Sequence, residues 1–204
     1  MTDIASAGLP PLRFGVAYDF RNPAGFDGLD NTRLYAAILE QAAFVDALGY
    51  DQVWLTEHHF VDDGYLPAFV PVAAAIAART RRVRISTDVA LIPFHHPLRL
   101  AEDMAVLDLL SGGRMELGIG MGYAVHEFAA FGMPRAQRVS RTEEAIEVMR
   151  QAWSDRPVTF RGKRYTVEGV EVFSLLRHSP LKRRAYLDRF FATGSELEGV
   201  SGES

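Results

Sequence analysis

Along the first 170 residues, short runs of apolar and β-branched residues alternate with longer runs whose apolar positions recur every three or four residues. The first short run, Leu12 to Tyr18, predicts a strand. Asp30 and Asn31 offer N-caps for a helix in which Leu34, Ile38, Ala42, Val45 and Leu48 follow the helical period, and Gly49 is placed to end it. Val53 to Thr56 reads as a second strand that runs into Glu57, His58 and His59. After Gly64 and Pro67, an alanine-rich helix extends to about Arg79. Val83 to Ile92 reads as one long strand, with enough apolar residues (Val83, Ile85 and Val89 to Ile92) to suit a strand covered on both faces, and Pro93 stops it. Leu100, Met104, Leu107 and Leu110 mark a third helix closed by Gly112 and Gly113. Arg114 to Ile119 predicts a fourth strand that leads into glycines at 118, 120 and 122. Ser140-Arg141-Thr142-Glu143 has the form of a capping box, opening a helix with Ile146, Met149 and Trp153 on one side. Four β–α units in succession predict right-handed crossovers and a parallel sheet.

Beyond Trp153 the pattern changes. Val158 to Phe160 and Tyr165 to Val167 predict a small antiparallel hairpin. From Ser174 onward the alternation stops, leaving a basic cluster (Lys182, Arg183, Arg184), a short helical run with Leu187, Phe190 and Phe191, and a glycine- and serine-rich end. The formal net charge of −4 carries no excess of positive charge for a phosphate backbone, so nucleic-acid binding is not expected. Cysteine is absent, which removes disulfides, thiolate nucleophiles and zinc–thiolate sites. No basic start precedes an apolar run, and no apolar stretch approaches the roughly 18 residues of a membrane span, so a cytoplasmic protein is expected.

In parallel α/β architectures the chemistry sits at the carboxyl ends of the strands. Those ends carry Ala17-Tyr18-Asp19, Glu57-His58-His59-Phe60, Asp88-Val89-Ala90 and Gly118 to Tyr123. A glutamate and two histidines at one strand end form a plausible acid/base set, because imidazole titrates near neutral pH. The alternative, in which one histidine packs and the other is solvated, stays open on the residues alone. Neighbouring histidines on an extended segment point to opposite sides, and no H-E-x-x-H run occurs, so no metal site is expected. His95-His96-Pro97 reads as a capping turn for the third helix. Gly118, Gly120 and Gly122 allow a backbone to approach a planar or phosphorylated ligand but do not match the dinucleotide fingerprint.

With these residues laid out, the chain resembles the bacterial luciferase-like monooxygenases, flavin-dependent (β/α)8 barrels with deazaflavin-dependent relatives. The resemblance rests on Gly49 to Phe60, Ala90 to Asp103, Ser111 to Tyr123 and Glu127 to Gly132, and spans about residues 12 to 172. It implies a flavin-dependent monooxygenase that uses reduced FMN and O2 to oxygenate a small organic substrate, with the reduced flavin supplied by a separate reductase. The alternatives are hydride transfer with a deazaflavin, or a truncated remnant without catalysis. Carried over by position, His58 resembles the histidine near the reactive edge of the flavin, with His59 and Glu57 in the same wall as further catalytic candidates. Asp88, Val89 and Ala90 fall where the family often has a non-prolyl cis peptide behind the ring, while Gly118, Gly120, Met121 and Gly122 resemble the segment that passes the ring and phosphate. Several relatives carry an arginine at the position of Met121, and a methionine cannot form its charge-assisted hydrogen bond to phosphate.

A complete barrel of this type takes roughly 250 residues. The resemblance ends near Phe173, so the expected fold is α/β: the N-terminal half of a TIM-type (β/α)8 barrel over residues 1–173, with the small hairpin, and a divergent, irregular C-terminal tail over 174–204. Unpaired strand edges and apolar faces predict a homo-oligomer.

Overall fold

Strands β1 (Gly15–Tyr18), β2 (Gln52–Leu55) and β3 (Arg84–Thr87) run parallel, side by side in that order, in a computed structural model that describes residues 12–23, 28 and 30–172. Val16 pairs with Val53, and Val53 with Ile85. Helices α1 (Asn31–Leu48) and α2 (Phe69–Arg79) make the crossovers, as the alternation predicted. The ends of α1 follow from local chemistry. The Asp30 carboxylate accepts a hydrogen bond from the Arg33 N–H at 2.8 Å, and Gly49 closes the helix at a left-handed φ of 86°. Val53, Leu55 and Ile85 share one buried cluster with Ile76 of α2 and with Leu100 and Met104 of α3 (Pro97–Ser111).

The segment from Val83 to Ile92 is not one strand. It divides into β3 and β4 (Ala90–Leu91), then a 3-10 turn over Ile92–Phe94, and the Asp88–Val89 peptide bond between the two strands is cis. The division marks a change of partner. The Asp88 N–H still donates to the Leu55 carbonyl of β2, whereas the Ala90 N–H donates to the carbonyl of Gly118. The expected fourth strand is correspondingly fragmentary. Met115 bridges to Ile85, and regular pairing resumes only at β5 (Ile119–Gly120), parallel to β4. Gly118 is needed at the junction, because a Cβ there would lie 2.1 Å from the Thr87 carbonyl oxygen.

One further expectation changes. Ser140 does not cap a helix. Helix α5 (Arg138–Ala152) grows directly from a 3-10 turn at Arg135–Gln137, so Ser140 sits inside it and its hydroxyl donates to the Gln137 carbonyl. A short helix, α4 (Val125–Ala130), to which the sequence pattern assigned no element, follows β5. Trp153, fully buried at the end of α5, donates its indole N–H to the Ala101 carbonyl and so ties α5 to α3. The hairpin forms as β6 (Val158–Arg161) and β7 (Thr166–Val170), and the Glu144 carboxylate of α5 accepts the N–H groups of Lys163, Arg164 and Tyr165 at its turn. The readings of the basic cluster, the short helical run and the tail beyond Ser174 lie outside the described residues.

Arg114 holds the opposite end of the sheet from the site. Its guanidinium donates to the carbonyls of Ala77, Thr80, Val83 and Ser111 and to the Thr80 hydroxyl, which gathers the end of α2, the start of β3 and the end of α3. A lysine carries the charge but not the planar fork. Arg114→Lys is therefore expected to cost about 2–4 kcal/mol in urea unfolding, since hydrogen bonds from a charged donor to buried carbonyls are lost. A change within about 0.5 kcal/mol, the range of an ordinary surface substitution, would show that water replaces those bonds.

Candidate active site at the carboxyl ends of the strands

The strand ends converge as the parallel arrangement requires. Glu57 and His58 after β2, Asp88 and Val89 at the step between β3 and β4, Leu91 of β4, and Gly120 to Tyr123 after β5 line one cavity of about 380 Å³. Its floor is apolar: Val89, Leu91 and Met121. Gly120 lets that floor close, because a Cβ there would lie 2.4 Å from Val89 Cγ2. Its rim carries the polar groups of His58, Asp88 and Tyr123, with Glu57 buried beneath.

The two histidines diverge. His58 faces the cavity with its ring edge-to-face against Tyr65 and Tyr123, centroids 4.7 and 5.7 Å away. Its Nδ1 lies 2.9 Å from Glu127 Oε1, and the same oxygen accepts the His59 backbone N–H at 2.8 Å. His59 turns to the far side of the segment, into a neighbouring cavity of about 250 Å³ lined by Phe69, Phe94, His95 and Phe131. There its Nε2 donates to Glu57 Oε1 at 3.1 Å, and His95 Nε2 donates to the same oxygen at 2.8 Å.

Glu57 is 2 % exposed. Burial by itself would push its carboxyl upward, but hydrogen bonds from His59 and His95, the nearby His95 charge and the Leu91 N–H outweigh it and hold the pKa down at about 2. Its Oε2 accepts the Leu91 N–H at 2.6 Å, which joins the end of β2 to β4 across the cavity floor. With both oxygens engaged, Glu57 is a buried anchor, and His58 is the imidazole that faces the cavity.

Of the residues singled out from the sequence, Glu57, His58, Asp88, Val89, Gly120, Met121 and Gly122 come together in this cavity. Ala90 is buried, and neither it nor Gly118 is among the cavity's lining residues. Gly118 makes room for the neighbouring strand. His95-His96-Pro97 does form the turn into α3, with His96 at the N-cap position and Pro97 as the first helical residue, but the His95 ring also reaches Glu57, which the sequence reading did not foresee. Glu127 stood in the sequence only as part of the matching segment Glu127 to Gly132 and not as a site residue, since it sits on a six-residue helix and meets His58 across 69 positions of sequence.

A family model for luciferase-like monooxygenases matches residues 12–186. The chain is 38% identical over 150 residues to 4-hydroxyprotoasukamycin monooxygenase from Streptomyces nodosus subsp. asukaensis, covering 72% of this chain and 39% of that protein. It is 32% identical over 143 residues to the F420-dependent glucose-6-phosphate dehydrogenase of Amycolatopsis mediterranei, covering 67% of this chain and 43% of the relative. The crystal structure of monooxygenase RslO1 from Streptomyces bottropensis superposes with a TM-score of 0.75 at 32% identity, over 84% of this chain and 51% of the other. The chain thus spans about two fifths of the length of these curated relatives and half of that solved structure. A match that runs through every described strand and helix, and across the whole cavity, makes this chain a member of the luciferase-like monooxygenase family.

Proposed function

We propose that the chain serves a flavin-dependent monooxygenase, in which reduced FMN and O2 oxygenate a small organic substrate. The single observation that carries this reading is the placement of His58 at the rim of a cavity with an apolar floor, its Nδ1 held by Glu127 and its Nε2 left for a ligand. Val89, Leu91 and Met121 offer a flat aromatic ring an apolar backing, and Gly120 and Gly122 add no side-chain bulk to it. The ring therefore fits. For its phosphate, no lysine or arginine is among the described residues that line the cavity, and Met121 supplies only a thioether.

When bound, a reduced flavin supplies the electrons that activate oxygen. This chain's residues would orient the ring, exclude water on the Val89 side and move a proton at His58 Nε2. The described residues suit the N-terminal half of a (β/α)8 barrel, with strand edges at β1 and β5 awaiting partners. Exposed Phe44, Leu48, Leu109 and Leu110 on α1 and α3 support a homo-oligomer. A separate reductase supplies the reduced flavin, and a cytoplasmic setting accords with a described structure that holds no helix long and apolar enough to cross a membrane.

A second reading is hydride transfer with a deazaflavin, favoured by the similarity to an F420-dependent dehydrogenase. Anaerobic titration with reduced FMN, followed by admission of oxygen, separates the two. The monooxygenase reading expects saturable binding and reoxidation kinetics distinct from those of free flavin. Binding of reduced F420 with no oxygen consumed would favour hydride transfer. Binding of neither cofactor would overturn both.

A further inference from the structure

Glu127 is fully buried on α4, and its side-chain hydrogen bonds go to the histidine pair. Oε1 meets His58 Nδ1 and the His59 N–H, while Oε2 is buried with no hydrogen-bond partner among the described residues. A buried carboxylate with an unused oxygen is costly, and its retention calls for a reason. This one presents a single oxygen to two points on adjacent residues, which fixes both the register of the segment and the direction of the His58 ring.

We infer that Glu127 is a positioning residue that holds His58 as the Nδ1–H tautomer and turns Nε2 toward the cavity as the proton acceptor. A carboxylate only accepts, so the proton shared with a neutral imidazole resides on the ring nitrogen it touches. The lone pair of the neutral ring then lies on Nε2. Tyr65 and Tyr123 meet the ring edge-to-face and limit its rotation. In the proton step, Nε2 gains a proton from the reacting partner, Nδ1 keeps its own, and no bond to Glu127 breaks. The catalytic part of this inference rests on the reading of His58 given above; the tautomer does not.

The ¹⁵N spectrum of histidine-labelled full-length chain tests it. The expected result is an Nδ1–H form for His58 in the wild type, retained in Glu127→Gln because the His59 N–H pins an acceptor oxygen in the same place. Glu127→Leu removes the acceptor and is expected to release His58 to the Nε2–H form. A wild-type His58 in the Nε2–H form overturns the inference, as does an unchanged tautomer in folded Glu127→Leu. Should the leucine variant fail to fold, the wild-type spectrum decides alone. In the flavin-loaded protein, Glu127→Leu is expected to lower kcat about 100-fold with KM within about threefold, the pattern of a misdirected base. Because the spectra need no flavin, a chain that binds none would refute the proposed activity and leave the tautomer to stand or fall by itself.

Discussion

Replacing His58 with asparagine is expected to lower kcat of the flavin reaction by about 10²–10⁴-fold, the span that a positioned acid/base contributes. The substitution also takes the Nδ1 donor from the fully buried Glu127, so unfolding by urea should shift by about 1–2 kcal/mol. The informative control is its neighbour. His59→Asn removes a donor from Glu57 on the far side of the segment, where Phe94 and Phe131 enclose the ring. That variant is expected to lose about 1–2 kcal/mol of stability and less than tenfold in kcat, because a buried carboxylate loses one of its partners while the cavity wall keeps its imidazole. Stopped-flow turnover and urea unfolding of both variants check the pair. Equal losses of kcat at the two positions would mean that the histidines act as one unit, and the division of labour drawn from their opposite orientations would be wrong.

That division was only half legible in the sequence. The strand end carrying Glu57, His58 and His59 stood out because a parallel sheet places such ends at its chemical face, and the alternation of an extended chain separates adjacent side chains. What the sequence could not show were the partners. Glu127 reaches His58 across 69 positions and His95 reaches Glu57 across 38, and no local periodicity encodes either meeting. The helix that carries Glu127 is too short to show a 3.6-residue repeat, and Ala124 before it offers no capping oxygen. By contrast, α1 was delimited to within a residue, because Asp30 and Gly49 mark its ends by their own chemistry. The break between β3 and β4 had a local mark that a single-strand reading passes over. Ser86-Thr87-Asp88 interrupts the apolar residues between Val83 and Ile92 where the backbone exchanges β2 for the fourth strand as its hydrogen-bonding partner, but the exchange itself is a long-range event that the residues do not name.

The same strand end supports the largest expected effect of pH. In the folded chain Glu57 is held at about 2 against an ordinary value of 4.5, despite burial, by the donors gathered on its two oxygens. A depressed carboxyl stabilises the fold in its charged form, so this contribution is fully present above about pH 4.5 and is lost as the pH falls toward 2. A depression of that size corresponds to roughly 3 kcal/mol for a group this deeply buried. Asp46 is also held below its usual range: burial opposes the shift, but the N–H groups of Val83, Arg82 and Arg81 prevail, so acid weakens the wild type through more than one group. Comparison with Glu57→Gln isolates the one at the site. Glutamine cannot be protonated in this range, and it sets an amide N–H against the Leu91 N–H, so it is expected to be about 3 kcal/mol less stable than wild type at pH 7. Between pH 4.5 and 2.5 the gap should then narrow, as the wild type loses what the variant never had. Urea titrations of both proteins at several pH values measure it. Two curves that fall in parallel would remove Glu57 from the account of acid sensitivity, and with it the tie from β2 to β4 as the element that holds the cavity floor in place.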